Sequence, residues 1–155
     1  MRVSIAAVGR LSRSPETELV GDYLKRAGMA GKPLGLTPVD LIEVEARKPG
    51  KPAEAEALSS AIGEGAWIIA CDERGKALGS RALADKVATL RDRGERRLVF
   101  VIGGADGLDP AFVGRANDTL AFGPQTWPHA LVRAMLAEQV YRAVTILGGS
   151  PYHRD

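Results

Sequence analysis

"VFVIGGADGL" spans Val99–Leu108. An apolar run stops on Gly103 and Gly104, then continues as Ala105, Asp106 and Gly107 with no bulky side chain. A continuous apolar run closed by glycine reads as a buried strand of a parallel sheet. In an open parallel sheet, ligands sit at the carboxyl ends of the strands. Glycine there lets a ligand touch peptide N–H and C=O groups with no Cβ between them. The same glycines also suit a tight turn that needs positive φ. From this stretch alone, ligand floor and turn stand level. It fits neither G-x-G-x-x-G nor G-x-x-x-x-G-K-[ST], so a dinucleotide fold and a Walker loop are both disfavoured.

The flanking chain supplies the rest of the layer. "RVSIAAV" (Arg2–Val8) and "AWIIACD" (Ala66–Asp72) are further short apolar runs and read as strands. "VDLIEVE" (Val39–Glu45) mixes apolar and acidic residues and is expected to be a strand with one wet face. "SPETELVGDYLKRAG" (Ser14–Gly28) opens on Ser-Pro with early acids and closes on basic residues and glycine, the charge order of a helix. "ARKPGKPAEAEAL" (Ala46–Leu58) is a Pro/Gly/Lys loop running into an Ala/Glu helix, and "SRALADKVATLRDRG" (Ser80–Gly94) is amphipathic. "DPAFVGRAN" (Asp109–Asn117) is a short helix, "DTLAFG" (Asp118–Gly123) a short strand, and Pro128–Leu147 one long helix. Strands alternating with helices predict an α/β layer around a mostly parallel sheet.

Composition bounds the class. A chain of 155 residues with 45% hydrophobic and 26% charged residues fits a single globular domain over 1–155. The net charge of +2 permits a nucleic-acid partner without demanding one. One cysteine rules out a disulfide framework, and no His/Cys/Asp cluster has metal-ligand spacing, so no metal is expected. No run approaches the length of a membrane span, and "MRVSIAAVGR" lacks a signal-peptide pattern, so a cytoplasmic protein is expected.

Two further stretches sharpen the reading. "FGPQTWPHALVRAMLAEQVYRA" (Phe122–Ala143) follows a strand with Gly-Pro and leads into the long helix, and the chain closes on "PYHRD" (Pro151–Asp155). With "CDERGK", "IGGADGL" and the opening "AVGRL", these resemble the SPOUT class of methyltransferases, and within it the ribosomal large-subunit methyltransferase H (RlmH) family. The resemblance spans nearly the whole chain. It differs in ending on Asp155 rather than Glu and in having Ser150 where His is frequent; both a terminal carboxylate and the basic pair remain.

The resemblance implies a parallel α/β-knot fold whose C-terminal segment is threaded into a trefoil knot, and a homodimer. It also implies S-adenosylmethionine as cofactor and N3 of a pseudouridine in 23S rRNA of the assembled ribosome as target. Carried over by position, the cofactor pocket is formed by Cys71 and Gly75, by Gly103, Gly104 and Gly107, and by Phe122, Gly123, Pro124, Gln125, Thr126 and Trp127. A non-catalytic ribosome-binding or assembly factor that kept the fold is the alternative.

Single residues carry two readings each. Cys71 is a small buried side chain rather than a nucleophile. Trp127 lines the pocket or packs. Asp106 is a turn residue or a counter-charge for the cofactor. His129 makes a helix-start hydrogen bond or touches RNA or substrate. Arg133 and Arg142 hold RNA phosphate or form an intrahelical or intersubunit ion pair. "RGERR" (Arg93–Arg97) is a solvated loop, with RNA contact as the lesser reading. In the tail, Tyr152 suits stacking on a base and Arg154 suits a phosphate or a developing oxyanion. His153 or Asp155 suits proton acceptance. The tail is expected to complete the site of the partner subunit. The long helix presents Leu131, Val132, Met135, Leu136, Val140, Val144 and Leu147 as a broad apolar stripe, which is expected to support dimerisation.

Overall fold

The computed structural model describes residues 1–155. In chain order the elements are β1 (Arg2–Val8), α1 (Pro15–Gly31), β2 (Val39–Val44), α2 (Lys51–Ile62), β3 (Trp67–Cys71) and α3 (Ser80–Asp92). They continue with β4 (Arg97–Ile102), α4 (Pro110–Arg115), β5 (Asp118–Leu120) and α5 (His129–Leu147). The five strands form one sheet in the order β2-β1-β4-β3-β5, and every pairing is parallel. All five carboxyl ends therefore lie along one edge, and the loops that follow them share that edge. No helix is long and apolar enough to cross a membrane.

The central strands explain their own composition. On β4, Leu98, Phe100 and Ile102 enter one core, while Val99 and Val101 enter the other. On β1 the same alternation sends Val3, Ile5 and Ala7 one way and Ala6 and Val8 the other. A strand covered on both faces is apolar at nearly every position; the buried polar residue in these runs, Ser4, spends its hydroxyl on Asp40 at 2.6 Å. The larger core takes residues of α1, α3 and α5, and the smaller takes residues of α2 and α4.

Local chemistry sets the helix ends. Ser14 caps α1 by accepting the Thr17 N–H at 3.2 Å, with Glu16 and Glu18 in the first turn. The helix runs beyond the predicted stop at Gly28 to Gly31, where a Cβ would lie 2.2 Å from the Leu36 carbonyl oxygen. The chain then tightens into a 3-10 turn over Lys32–Leu34 and ends its helical path at Gly35, which takes φ +71°, so that Leu36 folds back on Gly31; Gly28 is an interior glycine.

β2 departs from the expected single wet face. Its register on β1 pairs Ile5 with Leu41 and Ala6 with Ile42, and these two β2 residues pack against opposite cores. The two acids are on opposite faces and both are engaged. Asp40 accepts from Arg2 and from the Ser4 hydroxyl, and Glu43 accepts from the Leu11 N–H and from Arg133.

The buried positions of α5 are Arg133, Ala134, Leu136, Ala137, Val140, Ala143, Val144 and Thr145. The small residues let the helix approach its neighbours closely. Leu131, Val132, Met135 and Leu147 of the expected stripe are only half-buried.

Candidate active site at the strand ends

A cavity of about 950 Å³ opens at the carboxyl ends of β3, β4 and β5. That lies at the upper end of the ~300–1,000 Å³ usual for ligand clefts. Three loops form it. The first follows β3. The Gly75 N–H donates to the Asp72 carbonyl at 2.9 Å, and the Ala121 N–H donates to the Lys76 carbonyl at 2.9 Å, which ties this loop to the chain leaving β5. A Cβ on Gly75 would lie 3.0 Å from the backbone of both Asp72 and Leu120.

The second loop is the glycine stretch after β4. The Gly107 N–H donates to the Gly104 carbonyl at 3.0 Å, and Gly107 takes φ +82°. A Cβ on Gly103 would meet the Gly107 carbonyl carbon at 2.5 Å and its oxygen at 2.6 Å. A Cβ on Gly104 would meet the Glu54 carboxylate of α2 at 2.9 Å. The turn itself therefore demands Gly103, through the Gly107 backbone, and Gly107, through its positive φ. The folded-back turn is also a wall of the cavity.

The third loop runs from β5 to α5. Gly123 takes φ +88° there. The Trp127 indole N–H donates to the Phe122 carbonyl at 3.0 Å, which closes the loop on itself.

The cavity brings together Cys71, Gly75, Gly103, Gly104, Gly107, Phe122, Gly123, Gln125, Thr126 and Trp127. Pro124 is exposed and is not part of its lining. His129 also lines the cavity, and its Nδ1 is buried without a hydrogen-bond partner. Buried polar atoms in native proteins are almost always paired, so this shielded, unpartnered nitrogen is an exception in the structure. The helix-start bond expected for His129 is not made by Nδ1. Sequence reasoning missed Lys51, which enters the lining from the first turn of α2. Its surroundings, "RKPGKP", carry only the signature of a solvated loop. Cys71 is desolvated, and its thiol is pushed up to about 12. Such a thiol carries almost no thiolate at neutral pH, in line with a wall residue and not a nucleophile.

Arg133 requires a correction. It is wholly buried, so it is not available to RNA phosphate. Its Nη1 donates to Glu43 Oε2 at 2.8 Å and to the Gly9 carbonyl at 3.1 Å, and its Nη2 donates to the Val8 carbonyl at 3.2 Å. It forms an ion pair, but one between α5 and β2 of the same chain and not the intrahelical or intersubunit pair expected as the alternative, and it clamps the end of β1 to β2. Burial lowers its pKa while Glu43 opposes that shift. Arg142 is also drawn into an internal pair. It places Nη2 2.6 Å and Nε 3.0 Å from Glu138 Oε1, and Nη1 3.1 Å from His153 Nδ1.

The tail is docked. The Tyr152 hydroxyl donates to Glu138 Oε1 at 3.0 Å, and its ring meets Tyr141 edge-on at 4.7 Å. Burial, then hydrogen bonds to Tyr23 and Glu138, raises the Tyr152 phenol well above its ordinary value, so it stays protonated. Arg81 grips Asp155 through two contacts of 2.7 Å and, with help from His153, holds that carboxyl down to about 2. Arg142 can only donate, so His153 Nδ1 must be the acceptor. The His153 proton then sits on Nε2, 3.1 Å from Asp155 Oδ1. Arg154 is exposed and makes no ion pair. None of Tyr152, His153, Arg154 or Asp155 lines the cavity of its own chain.

A parallel α/β layer with a glycine-walled cavity at its strand ends is an arrangement suited to holding a small ligand. The chain belongs to the SPOUT methyltransferase family, whose model, described as "Predicted SPOUT methyltransferase", matches residues 1–153. It is 70% identical over the full length of both chains to the ribosomal RNA large subunit methyltransferase H of Phenylobacterium zucineum. It is 64% identical, again over both full lengths, to the protein of that name from Caulobacter sp.. A solved structure of a probable methylase family protein from Haemophilus influenzae shares the fold at 15% identity, with a TM-score of 0.54 over 99% of this chain and 70% of that one. A probable methyltransferase from Bordetella pertussis shares it at 17% identity, with a TM-score of 0.51 over 92% of this chain and 95% of that one.

Proposed function

We propose that this chain is a methyltransferase of large-subunit ribosomal RNA that takes its methyl group from S-adenosylmethionine and places it on N3 of a pseudouridine in 23S rRNA. The observation that carries the reading is the cavity at the ends of β3, β4 and β5, walled by the glycine turn after β4. Relatives of this length and similarity carry the corresponding name. The cavity suits the cofactor chemically. It offers backbone N–H and C=O groups for an adenine edge, Leu108 and Phe122 for its faces, and Asp72 and Asp106 as counter-charges for a cationic ligand. No group of acids, histidines and cysteine is placed to hold a metal, and methyl transfer to nitrogen requires none.

S-adenosylmethionine, when bound, supplies an electrophilic methyl on sulfonium. The protein's own residues have three tasks. The glycine-walled turn Gly103–Gly107 and the loop Phe122–Trp127 hold the donor and exclude water. His129 contributes its ring to the wall of that cavity. The tail handles the target base: Tyr152 stacks on it, Arg154 engages a phosphate or the carbonyl oxygen that gathers charge, and His153 or Asp155 receives the imide proton. The tail lies outside its own cavity, which supports a homodimer in which each tail serves the partner's cavity. In the docked state His153 Nδ1 is engaged by Arg142, so this role requires that contact to open when the target base arrives. The path of α5, which leaves edge strand β5 and returns against α1 and α3, is compatible with a trefoil knot. A cytoplasmic location goes with a ribosomal target. An assembly factor without catalysis would have no use for the open cavity, so that alternative draws no support from it.

Calorimetry should give micromolar affinity for S-adenosylmethionine and none for NAD; no binding at all defeats the enzymatic reading. Mass spectrometry of 23S rRNA fragments from cells with and without the protein should show one methyl group lost at one pseudouridine. Removing Ser150–Asp155 should leave cofactor affinity within a few-fold and abolish transfer. Mixed dimers of a cavity-defective chain and a tail-deleted chain should recover one working site. Normal transfer by the truncated protein would show that the tail only packs.

A further inference from the structure

The loops on the strand-end edge divide by charge. After β1 come Arg10 and Arg13, and after β2 come Arg47 and Lys48, opposed in those loops by Glu45 alone; the first turn of α2 adds Lys51 and Glu54. The loop after β4 carries only acids, Asp106 and Asp109, and the β3 loop balances Asp72 and Glu73 against Arg74 and Lys76. β2 and β1 are neighbours in the sheet, so the two basic loops adjoin one another. Val8 pairs with Val44 at the last rung, and the Gly9 N–H donates to the Val44 carbonyl at 2.8 Å, so both loops leave the sheet at the same level.

Arg10, Arg13, Arg47 and Lys48 are exposed. The one ion pair among them is a loose contact of 4.0 Å from Arg10 to Glu45. Lys51 belongs to the same cluster and also lines the cavity. The α2 turn that carries it is packed on the cavity wall, with the Glu54 carboxylate against Gly104. The cluster therefore reaches the cavity mouth. The Arg133–Glu43 pair beneath it is spent on the Val8 and Gly9 carbonyls, which makes a firm base for exposed cations.

We propose that Arg10, Arg13, Arg47, Lys48 and Lys51 form the strip that grips the phosphate backbone of the RNA next to the target nucleotide, so that the strand enters the cavity from the β1–β2 side. The proposal rests on the rRNA reading above. Cations held by a rigid edge fix register on a polyanion without reading its sequence. They release counterions as they do so, which makes binding fall with salt. The basic loop Arg93–Arg97 has no such role, because it joins α3 to the start of β4 at the opposite end of the sheet.

The test compares wild type with two strip variants, Arg10→Glu/Arg13→Glu and Arg47→Glu/Lys48→Glu. A control, Lys32→Glu/Arg96→Glu, changes net charge equally at exposed sites on the far end. Binding to purified 70S ribosomes is read by co-sedimentation across salt concentrations, and methyl transfer to the same ribosomes is read with labelled S-adenosylmethionine. Each strip variant should bind ribosomes at least tenfold more weakly and raise KM in proportion. kcat at saturating ribosomes should stay within about threefold, and cofactor affinity should be unchanged. The slope of log affinity against log salt should flatten by roughly 0.7–0.9 for each phosphate that is no longer neutralised. The control should stay within twofold of wild type. Wild-type affinity in the strip variants overturns the proposal, as does an equal loss in the control. If wild type transfers no methyl group, the functional reading fails, and co-sedimentation still judges the strip by itself.

Discussion

Replacing Glu43 with glutamine keeps the shape of the side chain and removes its charge. Arg133 would then sit wholly buried with only the Val8 and Gly9 carbonyls and one amide oxygen for company. Removing one partner of a buried pair typically costs ~3–5 kcal/mol, because the remaining charge stays out of water. Here the carboxylate side chain retains 28% exposure, and two carbonyls continue to serve the guanidinium, so the lower end, about 3 kcal/mol, is expected. For a chain of this size each kcal/mol shifts the melting midpoint by ~2–4 °C, giving a fall of ~6–12 °C. The assay is urea and thermal denaturation of wild type, Glu43→Gln, Arg133→Met and the double variant Glu43→Leu/Arg133→Met. The double variant should be more stable than Glu43→Gln, because it leaves no unpaired charge behind. A cost below ~0.5 kcal/mol for Glu43→Gln would place the pair with ordinary surface contacts and refute the clamp.

His129→Leu should raise the stability of the free protein by about 1 kcal/mol, by removing an unsatisfied buried nitrogen, while slowing methyl transfer more than tenfold. A variant that is both less stable and fully active contradicts the cost assigned to the unsatisfied nitrogen and the place of His129 in the cavity wall. Gly103→Ala should destabilise the fold by ~1–3 kcal/mol through overpacking against Gly107 and also weaken cofactor binding; unchanged melting would show that the turn can yield. Cys71, with its thiol pushed up to about 12, should react with a thiol reagent at pH 7.5 at least a hundredfold more slowly than free cysteine, the gap closing in denaturant. Fast labelling of the native protein would show an accessible thiolate. The Asp155 carboxyl, held down to about 2, lies below its ordinary value, so its contribution to docking is complete above about pH 4 and lost as the pH falls toward 2. The Tyr152 ring resonances should move toward their free-chain positions in that window, and Asp155→Asn should already show the shift at pH 6.

The elements were legible because their signals are local. Ser14 before Pro15, the apolar runs ending at Cys71 and Ile102, and Asp109 before Pro110 each speak through neighbours in the chain. Strand order was not, since pairing β1 with β4 and β3 with β5 is a matter of distant segments. The inward turn of Arg133 was hidden for a related reason. Its position on the long helix is plain, but its partner Glu43 lies ninety residues earlier, on a strand whose alternation suggested a wet face. The glycine loops were recognised, yet sequence could not say that Gly103 is required by the carbonyl of Gly107. The cavity lining was largely foreseen through the family resemblance. Lys51 was not, because only the packing of α2 against Gly104 carries it to the rim.

The two tryptophans of the chain stand at opposite ends of β3. Trp67 opens that strand, with its indole bonded to Asp118 at 3.1 Å and Arg93 stacked 5.2 Å from its ring. Trp127 lies on the cavity loop and is 36% exposed. The first is a fixed background emitter, and the second changes its contact with water whenever the cavity fills. Intrinsic fluorescence thus gives a label-free optical signal of occupancy, and Trp67→Phe would leave a chain whose emission comes from the cavity loop alone.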